Sequence, residues 1–370
     1  MHVPYNYLPT EFEDTEEIFD EWKELIKSTD FTLGHYVEEF ESIFSDYIGS
    51  KYCVATNCGT DALILSMKAI GLGEGDEVIT VANTFYATVG AIVECGATPV
   101  LVDADDRYQI SLTAIEKAIT TNTKAIVPVH WAGASPDMPA IINLAELHGL
   151  HVIEDACMGI GASIYGQSPG KFGTVNAFSM HPLKSLNVMG DGGMVVTDDD
   201  DIAQWMKKYR NHGMVDRDHI EFWGVNMRIQ PLQAIVAKHR LKSLKQTIKQ
   251  RNKNARMLDI SLKKLEPFVS IPPRYKNYLE TFALYMGLFE KRNELLVYLN
   301  EHGIEAKVHY PIPLHKQQAA QKNCICSPSL TNVEQQAEKL ITLPVHQYLN
   351  EEHMDFIVKT IKSFYHFQVV

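Results

Sequence analysis

Between Tyr52 and Thr197 short β-branched, apolar runs alternate with amphipathic stretches, and this alternation limits the possible folds more than any other feature of the chain. The runs Tyr52–Ala55, Glu77–Val81, Thr98–Val102, Ala125–Val129, His151–Glu154, Ala177–Ser179 and Met194–Val196 have the length and composition of strands. Thr60–Ile70, Ala87–Cys95, Leu112–Ile119 and Met138–His148 have helical length and periodicity. Strand–helix alternation at this spacing predicts an α/β domain with a largely parallel sheet, its helices placed on both faces by right-handed crossovers.

The rest of the chain differs. Leu232–Leu265 has no Pro or Gly, is basic and favours helix, so it is expected to link two parts of the molecule. Beyond Phe268, strand-like Thr281–Phe289 and Ala306–His309 mix with helical Arg292–His302, Val333–Ile341 and Glu351–Phe364. The expected division is a large domain over residues 1–245 and a smaller α+β domain over residues 246–370. No internal repeat interrupts this plan.

Charge and cysteine usage narrow the function. A net charge of −12 argues against a nucleic-acid partner, which would call for a basic face. The six cysteines are scattered, and Cys324-Ile325-Cys326 is too tight and isolated for a zinc half-site, so no metal is expected. The stretch Met1–Asp14 is acidic and lacks the apolar core of a signal peptide, and no apolar run is long enough to span a bilayer. A cytoplasmic protein with reduced thiols and no membrane contact is expected.

Three features could carry chemistry. Asn57-Cys58-Gly59-Thr60-Asp61 follows a strand and opens a helix, where free N–H groups and the helix dipole suit a phosphate. Taken alone it also fits an ordinary helix cap. Glu154-Asp155 ends an apolar strand, where ligands of open α/β sheets bind and a carboxylate can face a cationic ring nitrogen. Taken alone it fits a loop acid capping the next helix. Lys184 follows the strand ending at Ser179 and precedes the glycine-rich Gly190–Gly193. A desolvated lysine there can form a Schiff base, although a lone lysine is more often a surface residue. Together an anion seat, a carboxylate and a lysine at successive strand ends are the parts that pyridoxal 5'-phosphate requires. The first strand lacks the G-x-G-x-x-G of dinucleotide binding, and the fifteen histidines form no ligand cluster.

At this point the sequence resembles the DegT/DnrJ/StrS family of sugar aminotransferases, which have the fold type I, aspartate-aminotransferase-like architecture. The resemblance runs through Phe31-Thr32-Leu33-Gly34, Gly59–Leu63, Gly75–Ile79, Thr84-Phe85, Pro128-Val129-His130, Ile153–Ala156 and Ser179–Lys184. It continues through Arg210–Gly213, Gly224–Arg228, Tyr310–His315 and Leu343-Pro344. It implies that Lys184 is the catalytic residue, holding the cofactor covalently and moving the proton. It implies that Asp155 pairs with the pyridinium nitrogen, that Gly59, Thr60 and Ser179 hold the phosphate, and that Phe85 stacks on the ring. Asn226 would reach the phosphate of a second subunit, making the active unit a homodimer, and Tyr310 and His315 would lie near the sugar. Met158 falls three residues after Asp155, where the resemblance implies a glutamine, or sometimes a histidine, near the cofactor's ring hydroxyl, and a thioether cannot donate that hydrogen bond.

The implied reaction moves an amino group from an amino acid, expected to be L-glutamate, to a nucleotide-linked keto-sugar in amino-sugar or lipopolysaccharide biosynthesis. The segment Pro182–Lys184 followed by Gly190–Gly193 looks more like members acting on 3-keto sugars, here expected to be 3-keto-6-deoxyhexoses, than on 4-keto sugars. Related dehydratases carry histidine at the lysine position, so Lys184 argues against that activity. A non-catalytic PLP- or sugar-binding regulator is the rival of another class.

Overall fold

In the computed structural model, which describes residues 1–366, the alternating region forms thirteen-strand architecture together with the C-terminal part. The strands are β1 (Tyr52–Thr56), β2 (Glu77–Val81), β3 (Thr98–Val102), β4 (Thr123–Val127), β5 (His151–Val152), β6 (Ser163–Ile164), β7 (Asn176–Ser179) and β8 (Gly193–Thr197). Further on come β9 (Val269–Ser270), β10 (Tyr278–Leu279), β11 (Tyr285–Phe289), β12 (Ile325–Cys326) and β13 (Leu340–Leu343).

Five strands run parallel in the order β12-β3-β2-β4-β5. A second group, β1-β8-β7, is antiparallel. Asp155 joins them by pairing in parallel with Val129 on one side and Ala177 on the other. The result is a mostly parallel sheet whose seam runs through Asp155. Val78, Ile79, Val81, Val100, Leu101, Val102, Ile126 and Val127 are buried, as strands covered on both faces must be.

The connecting helices start where the chain supplies a cap. Ser111, Asp137 and Asp199 accept from the N–H groups of Ala114, Ala140 and Ile202. Gly149 ends the helix Met138–His148 in the left-handed conformation that glycine adopts without penalty.

The helix Pro231–Leu262 has 32 residues and so spans about 48 Å. Residues 245 and 246 fall inside it. Its first half packs on the sheet core with Phe40, Phe44 and Phe178, and its second half on the C-terminal core with Leu295, Ile357 and Ile361. That smaller core surrounds the antiparallel sheet β13-β11-β9 and includes Val3 from the start of the chain. Residues 314–333 return to the large sheet: β12 extends its edge, and Leu314, Ala320 and Val333 join its core.

Several elements differ from expectation. Val333–Ile341 reads as one helix, yet the helix ends at Lys339 and Leu340–Leu343 form a buried strand, because this β-favouring run finds β11 as its neighbour. Thr281–Leu284 is not strand: the N–H groups of Thr281 and Leu284 are taken by the carbonyls of Gly133 and Ala132. Ala306–His309 contributes only an isolated bridge from Lys307 to Thr342. Strand β12 carried no periodic signal, being two exposed residues held by the edge of β3.

Candidate active site

The carboxyl ends of the parallel strands open onto a cavity of about 290 Å³, the position where open α/β sheets bind ligands. Gly59, Thr60, Phe85, Asp155, Met158, Ser179, Lys184 and Tyr310 all line it. Four separate strand ends and loops therefore converge, and each needs a local cause.

Glu154 and Asp155 are neighbours on one extended segment, so their side chains leave opposite faces. Asp155 turns to the cavity, where its Oδ2 accepts from Thr88 Oγ1 at 2.7 Å and its Oδ1 from the N–H of Cys157 at 3.3 Å. Glu154 turns inward and is fully buried. It meets His130 Nε2 at 2.9 Å and accepts from the N–H groups of Gly170, Phe172 and Gly173 at 2.8–2.9 Å. One acid is available to a ligand, and the other holds the 170–173 turn.

The helix Gly59–Ala69 begins with Cys58, whose sulfur accepts from the N–H of Asp61 at 3.4 Å. A Cβ on Gly59 would sit 2.6 Å from the Ser179 Cβ, so only glycine lets the helix start approach the end of β7 this closely. That approach brings the N–H groups at the helix start, the Thr60 hydroxyl and the Ser179 hydroxyl to one wall. This is an anion seat by composition and by helix polarity.

Lys184 lies in the loop after β7. Its N–H donates to the His181 carbonyl at 2.8 Å, and its own carbonyl accepts from the Tyr7 hydroxyl at 3.2 Å. Burial holds its amine below the ordinary lysine value, with the charges of Cys157 and Asp155 acting in the opposite sense. A lysine depressed by burial beside a carboxylate is an expected feature of an amine that must react.

Aromatic rings form the rest of the wall. Tyr310 stands with its centroid 5.7 Å from Trp131, 5.6 Å from Tyr86 and 6.2 Å from Phe85. Met158 also lines the cavity. The indole N–H of Trp131 is buried without a partner on the same lining.

Two expected residues lie elsewhere. Asn226 is exposed, in a segment paired with Asn211 and flanked by Trp223 at 88% exposure. His315 is tied to Glu334 at 3.0 Å and is outside the cavity lining.

The cavity also holds residues that the sequence motifs did not single out. Tyr5 and Tyr7 reach it because Val3 pairs with the 303–305 segment and Pro4 accepts from His346. His309 and His346 line it, and burial lowers both to about 4, so both rings are neutral near pH 7. Arg251 arrives from the middle of the long helix. None of these carried a local signal, because each reaches the cavity through contacts with residues distant in the chain.

The site residues present fit pyridoxal phosphate. The helix start at Gly59 and the hydroxyls of Thr60 and Ser179 could hold a phosphate, Asp155 could face a ring nitrogen, and Lys184 could supply an amine. Among the described residues no cluster of His, Cys, Asp and Glu could hold a metal ion, and no helix is long and apolar enough to cross a membrane.

Known proteins place this geometry in context. The profile of the DegT/DnrJ/EryC1/StrS aminotransferase family matches residues 13–362. The chain is 37% identical to the pleiotropic regulatory protein of Geobacillus stearothermophilus, over 99% of both chains. It is 36% identical to a UDP-N-acetyl-3-dehydro-alpha-D-glucosamine 3-aminotransferase of Acidithiobacillus ferrooxidans, over 95% of this chain and 94% of that one. The fold superposes on NtdA of Bacillus subtilis, solved with bound cofactor PMP, with a TM-score of 0.91 and 30% identity over 98% of this chain and 85% of that one. With its fold type I architecture and with Lys184 and Asp155 lining one cavity, the chain belongs to the DegT/DnrJ/EryC1/StrS aminotransferase family.

Proposed function

We propose that this pyridoxal-phosphate-dependent sugar aminotransferase takes an amino group from L-glutamate and places it on carbon 3 of a nucleotide-linked 3-keto sugar. The observation that carries the reading is Lys184, its amine depressed by burial, in one cavity with the Asp155 carboxylate and the Gly59–Ser179 seat. A relative named for a 3-dehydro sugar supports carbon 3 over carbon 4.

Pyridoxal phosphate supplies, when bound, a carbon that bonds amines and a ring that accepts an electron pair. The chain's own residues do the rest. Gly59, Thr60 and Ser179 would bind the phosphate through backbone N–H groups and hydroxyls. Asp155, oriented by Thr88, would keep a ring nitrogen protonated. Lys184 would take a proton from the donor's α-carbon and deliver it to the cofactor carbon on the other side of the shared nitrogen, then work in the reverse sense when the sugar ketone accepts the amine. Phe85, Met158, Trp131 and Tyr310 would exclude water from that transfer.

The active unit is proposed to be a homodimer. The exposed 211–228 segment presents Val215, Ile220, Trp223 and Val225 to solvent, an apolar surface suited to a second copy, and Asn226 lies on it. A cytoplasmic place and a role in amino-sugar or lipopolysaccharide synthesis are part of the same proposal. The division at residues 1–245 and 246–370 is likewise a proposal; it puts Lys184 in one unit and Arg251, His309 and His346 in the other. A non-catalytic regulator is the alternative that the name of one relative suggests. Incubation of the pyridoxal-phosphate-loaded protein with L-glutamate, and then with 3-keto and 4-keto nucleotide sugars, tests the reading: amination of a 3-keto sugar supports it, and release of no keto acid with any amino donor favours the regulator.

A further inference from the structure

Arg251 is 1% exposed and lines the same cavity as Lys184. Its Nε donates to Gln347 Oε1 at 2.9 Å and its Nη1 to the Phe282 carbonyl at 3.3 Å. Its Nη2 is buried and has no hydrogen-bond partner. The guanidinium also lies 5.2 Å from the Tyr7 ring centroid. Every one of these neighbours is uncharged.

The other well-buried arginines are different. Arg107 pairs with Glu280 at 3.4 Å and Arg210 with Glu41. A guanidinium does not lose its proton in a protein, so an unpaired buried one carries an uncompensated charge of high cost. Arg251 alone in this group bears that cost, and it bears it on the cavity wall.

We propose that Arg251 receives the α-carboxylate of the amino-acid donor, and afterwards that of the keto-acid product. The assignment rests on the aminotransferase reading above. Three features select this anion. The cofactor phosphate has its own seat at the Gly59 helix start. His309 and His346, also on the wall, are neutral near pH 7, so Arg251 is a permanent cation on the wall that Lys184 also lines. A donor's α-carboxylate is one bond from the carbon whose proton Lys184 removes, so it must enter as deep as the lysine. The phosphates of a nucleotide sugar are remote from the ketone, and a cavity of about 290 Å³ is small for a nucleotide.

The test uses the pyridoxal-phosphate-loaded protein and the variants Arg251→Gln and Arg251→Lys. Visible absorbance follows the first half-reaction with L-glutamate and with 4-aminobutanoate, the same chain without the α-carboxylate. Calorimetry with maleate and cofactor-free protein gives a readout independent of turnover. Arg251→Gln is expected to weaken L-glutamate half-saturation about 100-fold, the size of a charged hydrogen-bonded pair. It should change 4-aminobutanoate by less than about 3-fold and abolish maleate binding. Arg251→Lys should recover part of both losses. The KM for the sugar should not move.

Equal losses for both donors, or unchanged maleate binding, would make Arg251 a brace for Gln347 and Phe282 and overturn the assignment. So would a rise in the KM of the sugar with that of glutamate unchanged, which would place a sugar phosphate on Arg251. If both variants lose cofactor absorbance and melt well below wild type, the side chain is structural and the assignment fails. A wild-type protein that reacts with no amino donor removes the aminotransferase reading itself, an outcome distinct from any variant result.

Discussion

At the scale of single residues, the alternation of an extended chain decides which acid can do chemistry. Asp155 and Glu154 are adjacent in sequence, and composition cannot separate them. Glu154→Gln removes the charge facing His130 and weakens three backbone hydrogen bonds, so it should cost about 3 kcal/mol of stability while the cofactor site stays intact. Asp155→Asn should instead leave the melting temperature nearly unchanged and slow the glutamate half-reaction by more than about 100-fold, since a ring nitrogen would lose its anionic partner. Chemical denaturation and stopped-flow absorbance check the two. The lysine and Asp155 were legible because their motifs sit at strand ends. Arg251, Tyr7 and His346 were not: nothing local distinguishes an arginine inside a polar helix, and its burial follows from packing against residues some 30 to 240 positions away.

The histidines give a pH prediction at the same scale. Burial holds His309 and His346 at about 4, below the ordinary value of 6.5. The folded protein then binds fewer protons than the unfolded chain between these values, so stability falls as pH drops from about 6.5 toward 4. Replacing His309 by Gln should flatten that decline without reversing it, because His346 titrates in the same window. Melting temperatures measured across pH 4–7 test this; an unaltered slope would mean that His309 is not held neutral.

At the scale of elements, the site depends on how close a helix start comes to a strand end. Gly59→Ala forces a Cβ to within 2.6 Å of the Ser179 Cβ, so the two must separate. The predicted result is cofactor affinity weakened at least about tenfold, with far-ultraviolet circular dichroism unchanged, as titration of cofactor-free protein with pyridoxal phosphate would show. Strand and helix positions in the large sheet were readable from periodicity to within about two residues. The C-terminal strand β13 was not, because Val333–Ile341 has continuous helical spacing and only pairing with β11 stops the helix at Lys339. The sequence likewise gave no sign that β12 would cross back to the edge of β3.

At the scale of the molecule, distant parts of the chain complete one cavity. Tyr5 and Tyr7 near the start of the chain, Arg251 in a 32-residue helix and residues 343–346 all line the cavity that holds Lys184. The proposed homodimer would extend that design. Trp223 is 88% exposed beside Val225 and Asn226, and a dimer through this segment would cover it. Trp223→Asp should shift the protein from dimer to monomer in sedimentation velocity and lower cofactor affinity, because Asn226 would no longer reach a second copy's anion seat. A variant that stays dimeric with full affinity would remove this segment from the interface.

The central claim is that Lys184 carries out amino transfer in this cavity. The direct measurement is the visible absorption of protein incubated with pyridoxal phosphate, before and after L-glutamate, beside Lys184→Ala. The account predicts a yellow wild type that bleaches with glutamate and releases 2-oxoglutarate, and a variant that never forms the lysine-linked band. A wild type that holds the cofactor and is bleached by no amino donor, or a Lys184→Ala protein that behaves as wild type, would contradict it.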